Sequence, residues 1–167
     1  MPLSIDPKDL IRWNDLSAQH WRDFALANPA ILAIPCDIGR AQSVAQFLQH
    51  IVAAELRYAQ RLAALPESDY AEIPYDTPDA IFSTHARALE IIHPLLADDS
   101  YDWTHEIEFQ TISAGKIRAS RKAILIHLLM HSVRHYAQLA TLVRHNGVPA
   151  AWFMDYLVMD MQRVAVP

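Results

Sequence analysis

The 167-residue chain contains one cysteine, Cys36, and three glycines. A lone cysteine rules out an intramolecular disulfide, cysteine-based zinc modules and redox pairs, so any metal chemistry must draw on His, Asp and Glu. Glycine this scarce argues against turn-rich sandwiches and Gly-looped nucleotide folds. Positive charge is short as well: fourteen Lys plus Arg against nineteen Asp plus Glu leave a net charge of −5. That balance repels phosphate backbones and anionic lipid, so neither nucleic acid nor a membrane is expected as a partner. No run approaches the roughly 20 apolar residues of a membrane span. Residues 1–9 carry acids and prolines where a secretion signal needs a basic end and an apolar core, and a cytoplasmic location is the expectation. His-Glu-x-x-His, Gly-x-Ser-x-Gly, the P-loop and the dinucleotide fingerprint are all missing. A di-iron carboxylate bundle needs two Glu-x-x-His motifs, and there is one, Glu90 to His93.

What the chain does have is apolar residues, 52% of the total, enough for one domain over residues 1–167 with a core that needs no staple. Prolines divide it. Asp6-Pro7 and Thr77-Pro78 each read as an N-cap with a first-turn proline, opening a first helix to about Asn28 and a third that Pro94 should kink or end. Between about Arg40 and Leu65, Val44, Leu48, Ile51, Glu55, Tyr58, Leu62 and Leu65 recur at helical spacing, which predicts a second helix with one apolar seam. Residues 103–118 change character: Ile107, Phe109 and Ile112 stand among polar residues, and Ser113-Ala114-Gly115-Lys116 reads as a turn, so a short hairpin excursion is expected. Ser120 then caps a fourth helix that stops at Asn146-Gly147, and a shorter helix over residues 150–161 should follow. The fold class is all-α, a four-helix bundle, with the largely apolar fourth helix central or in a subunit interface.

Nine histidines are many for this length, and His127, His131 and His135 lie four residues apart in the fourth helix. Side chains at i and i+4 share a face about one turn apart, close enough for two imidazoles to bind one cation. Spacing does not choose between His127/His131 and His131/His135. Either pair needs a third ligand from a facing helix, and His50 beside the seam of the second helix is the best placed. The alternative is hydrogen-bonded core histidines with no metal. Gln138, one turn after His135, could hold an imidazole N–H or a bound water. Glu55 interrupts an apolar seam, where a carboxylate must be paired, so it is either a general base behind the ligands or half of a buried ion pair with an arginine such as Arg134. His20, His85, His93, His105 and His145 read as surface or core-edge residues, and Cys36 as an unreactive loop thiol.

The run from His127 through His131, His135 and Gln138 to Arg144 and Gly147, with the Phe47–Glu55 stretch around His50, resembles the DinB/YfiT-like metalloenzyme family. On the matching positions that family's ligands would be His50, His131 and His135, which leaves His127 a packing role or one behind the ligands. The resemblance, over about residues 11–155, also implies up-down-down-up connectivity and a homodimer. It implies a divalent metal, zinc or nickel first and iron next, and a reaction on a small molecule that uses water or a low-molecular-weight thiol. The activity would be of the S-transferase, isomerase or hydrolase type. The rival expectation is a stress-associated helical dimer that binds metal, or merely folds, without turnover.

Overall fold

The computed structural model describes residues 6–111 and 114–162. Ile112 and Ser113 of the expected hairpin, and part of the N-terminal stretch 1–9, lie outside the described residues. Four long helices, α1 (Pro7–Ala27), α2 (Val44–Leu62), α3 (Pro78–Ala97) and α4 (Arg121–His145), carry the fold, with strands β1 (Glu106–Thr111) and β2 (Gly115–Ser120) between α3 and α4. No helix among the described residues is long and apolar enough to cross a membrane.

The expected start signals operate as hydrogen bonds. Asp6 accepts the Lys8 N–H at 2.9 Å, Thr77 the Ala80 N–H at 3.2 Å and Ser120 the Ala123 N–H at 3.2 Å. Each satisfies one orphan donor and is worth about 1 kcal/mol. The second helix begins at Val44 rather than near Arg40, because Ser43 caps it through the Gln46 N–H at 3.3 Å. It ends at Leu62, so Leu65, 48% exposed, lies beyond the seam it was expected to extend. Pro94 does not end α3. It falls in the last turn before Ala97, where one missing N–H matters little. The stop at Gly147 takes a defined form: Val148 N–H bonds the Val143 carbonyl at 3.0 Å and Gly147 N–H the Arg144 carbonyl at 3.1 Å, with Gly147 at φ +80°. These are the two bonds of a Schellman closure, which favours glycine at that φ.

The hairpin excursion is a two-stranded antiparallel ribbon, with Phe109 opposite Ile117. The predicted helix over residues 150–161 is corrected: only Tyr156–Met159 forms a 3-10 turn. So short a segment is marginal as an isolated helix, and its large side chain is satisfied otherwise. Trp152 packs its ring 5.1 Å from Trp21 and 5.3 Å from Phe24.

α2 packs against α3 and α4, and α1 against α3 and α4. The interior separates into two apolar clusters, one around Trp21, Phe47, Leu48, Ile81, Tyr136 and Leu139, the other around Ile11, Leu56, Leu62, Ile92, Ile124 and Leu128. Along the chain, α1 and α4 pass from the second cluster to the first, and α2 and α3 from the first to the second. At the level where the clusters meet, each helix contributes a buried polar side chain: Asn14, Glu55, His85 and Ser132.

Candidate metal centre

His50 projects from α2 toward His131 and His135 of α4. Ring centroids are 5.0 Å apart for His50 and His131, 5.0 Å for His50 and His135, and 4.2 Å for His131 and His135. One nitrogen from each lies within 4.8 Å of the others, so the three could hold a single metal ion. His131 and His135 are buried and His50 half-buried. Phe47, one turn before His50 and itself buried, sets its ring edge-on to His135 at 5.2 Å and gives the site an apolar wall.

Hydrogen bonds orient the ligands. Gln138 Oε1 accepts from His135 Nδ1 at 2.6 Å, as its position one turn on suggests. With the proton on Nδ1, His135 Nε2 presents a bare lone pair. His131 Nε2 stands 3.1 Å from it, and Arg134 Nη2 donates to it at 3.2 Å. Two groups thus converge on one lone pair, while His131 Nδ1 is buried with no hydrogen-bond partner among the described residues. Such crowding on one side and an orphaned atom on the other is an unsatisfied arrangement for hydrogen bonding alone. A cation facing the three nitrogens would relieve the crowding at His135 Nε2, and an all-nitrogen set suits zinc, nickel, iron or copper. The residues therefore fit a transition metal.

Burial first, then the neighbouring His135 and Arg134, lowers the His50 pKa to about 4. Burial likewise lowers that of His131, helped by His135, His50, Arg134 and His127. At His135, burial and Arg134 prevail over the Gln138 hydrogen bond, which acts in the opposite direction. All three imidazoles are neutral near pH 7, the form that coordinates metal.

Gln138→Leu, which leaves the His135 N–H unbound and frees the ring to turn, is expected to weaken metal affinity roughly 10- to 100-fold. Competition with a chromophoric chelator measures this, and an unchanged affinity would show that Gln138 does not orient the ligand.

The other candidates separate. His127 is exposed, its ring 5.8 Å from that of His131 and edge-on to Tyr58 at 5.0 Å, so it packs beside the triad. Glu55 is not paired with Arg134. Its oxygens take Asn14 Nδ2 at 2.8 Å, the Ser132 hydroxyl at 2.6 Å and His85 Nδ1 at 2.6 Å. With both oxygens engaged, it touches the triad only through Ser132, the neighbour of His131. The reading of His85 as a surface or core-edge residue is corrected too: it is 4% exposed, clamped between Glu55 and Asp15. His93, His105 and His145 are exposed and His20 half-buried, and Cys36 is a buried loop thiol. Sequence reasoning missed Asn14, Ser132 and the contact of Arg134 with His135, because none falls in a ligand spacing.

Four long helices that bring three histidines from two of them to one point define a helical protein with a candidate metal centre. The DinB family matches over residues 10–164, most of the chain, and the protein belongs to the DinB family. No curated protein matches it.

Proposed function

We propose that the protein is a metal-dependent enzyme whose ion is held by His50, His131 and His135 and acts on water or a low-molecular-weight thiol. The activity would be of the S-transferase, isomerase or hydrolase type. The observation that carries this reading is the convergence of three neutral imidazole nitrogens within 4.8 Å, with no fourth protein ligand among the described residues. Structural sites are closed by four protein ligands, and catalytic sites keep a position open. Zinc or nickel, or else iron, would supply there a Lewis acid that lowers the pKa of a water or thiol meeting it. The chain's part is to hold the three rings, fix the His135 tautomer through Gln138 and keep one wall dry with Phe47. Glu55 holds Ser132, and through it the α4 backbone beside His131, rather than moving a proton at the ion.

The opposed runs of α1 and α4 against α2 and α3 between the two clusters favour a four-helix bundle of up-down-down-up connectivity. Met130 of α4, 55% exposed, is consistent with self-association into a homodimer. The net charge of −5 supports a small-molecule substrate over nucleic acid or membrane, and the single cysteine suits the cytoplasm.

The test is elemental analysis of tagless protein purified without a metal column, beside His135→Ala. About one equivalent of transition metal in the wild type alone is expected. Equal, substoichiometric metal in both, with no recovery in the wild type when ions are added back, would overturn the reading.

A further inference from the structure

Arg134 donates to the lone pair of His135 that a bound ion would need, at 3.2 Å. The guanidinium is on an exposed residue and forms no ion pair among the described residues. No carboxylate hydrogen-bonds His131 or His135 among the described residues: their partners are each other, Gln138 and Arg134. Glu55 is turned into the core, and the ligand set is entirely neutral. A divalent ion here would place its two charges beside a third, with no protein anion to offset them. Like charges in a partly desolvated site repel one another. A guanidinium is also the side chain whose fork matches an oxyanion. When an ion takes the lone pair, Arg134 must release it and needs a new acceptor at the same mouth.

We propose that Arg134 anchors an anionic substrate: the molecule that completes the site carries, besides the atom that meets the ion, a carboxylate that pairs with the Arg134 guanidinium. This rests on the metal-site reading above and specifies its substrate class, a small nucleophile or electrophile bearing a carboxylate. Arg134 thus sets specificity by holding the substrate's charge.

The test uses the full-length chain loaded with cobalt(II), titrated with 3-mercaptopropionate and with 3-mercaptopropanol, which differ in the carboxylate. Absorption in the thiolate-to-cobalt region reports binding. The wild type is expected to favour the carboxylate thiol, and Arg134→Gln to lower the ratio of the two affinities roughly tenfold. Affinity for the alcohol and for cobalt itself should be held or improved, since Arg134 no longer competes for the lone pair. Arg134→Lys should restore part of the ratio. A ratio unchanged in Arg134→Gln, or no preference in the wild type, overturns the anchor while leaving the metal centre intact. Failure of the wild type to bind cobalt overturns the metal reading and the anchor with it.

Discussion

Replacing His131 with alanine is expected to abolish the rise in melting temperature that saturating zinc or nickel gives the wild-type protein. His131 is the hub of the triad, its ring 4.2 Å from that of His135 and 5.0 Å from that of His50. Its loss leaves two rings on different helices, and two nitrogens do not hold a transition ion against water. A ligand that binds only the native state at 100 times its Kd stabilises by about 2.7 kcal/mol. For a chain of this size that raises the melting temperature by roughly 5 to 10 °C. The metal-free variant should fold, because the substitution removes a buried imidazole with an orphaned nitrogen and leaves the Glu55 network whole. Thermal unfolding of both proteins with metal and with chelator decides the matter. A metal-dependent shift that survives in His131→Ala would place the ion elsewhere.

Where the sequence was readable, one local rule was enough. A side chain accepting a backbone N–H makes Asp6, Thr77 and Ser120 caps whatever the rest of the chain does. The i,i+4 spacing brought His131 and His135 together for the same reason. His50 could be named but not oriented by its own helix, since what it faces depends on the packing of α2 against α4. The buried network needed two helices read at once. Glu55 interrupts the seam of α2, and His85 sits on the seam of α3 between Ile81 and Ala88, all of them buried. Two polar residues on two apolar faces are an ion-pair signal only when those faces are known to meet. Taken alone, His85 looks like any surface imidazole and Glu55 looks for an arginine. Residues 150–161 differ for the opposite reason: their helical pattern is genuine, but so short a segment is marginal as a helix, and Trp152 docks on Trp21 and Phe24.

That network should give one of the largest losses of stability available from one side chain. Glu55→Ala removes the acceptor shared by Asn14, His85 and Ser132, all buried, and leaves the His85 charge with only the half-buried Asp15. Breaking a buried pair in this way costs about 3–5 kcal/mol, readable as a shift in the urea midpoint near pH 6. Its pH dependence identifies the cause. Burial alone would lower the His85 pKa, but the Glu55 charge and the hydrogen bonds of Asp15 and Glu55 outweigh it and raise the value to about 10 from 6.5. A raised pKa stabilises fully below the unfolded value, and the contribution disappears as pH climbs from about 6.5 through about 10. For Glu55, burial acts upward, but the His85 charge and the bonds from His85, Ser132 and Asn14 hold its pKa below 4.5. Its contribution is therefore complete above 4.5 and lost as pH falls through the lowered value. The pair stabilises most between pH 4.5 and 6.5. Glu55→Gln keeps the shape and acceptors for Asn14 and Ser132 but loses the charge, so it should flatten the decline on the alkaline side, leaving the part due to Asp15. Parallel stability profiles for wild type and Glu55→Gln between pH 6 and 10 would mean that His85 is not held charged by Glu55.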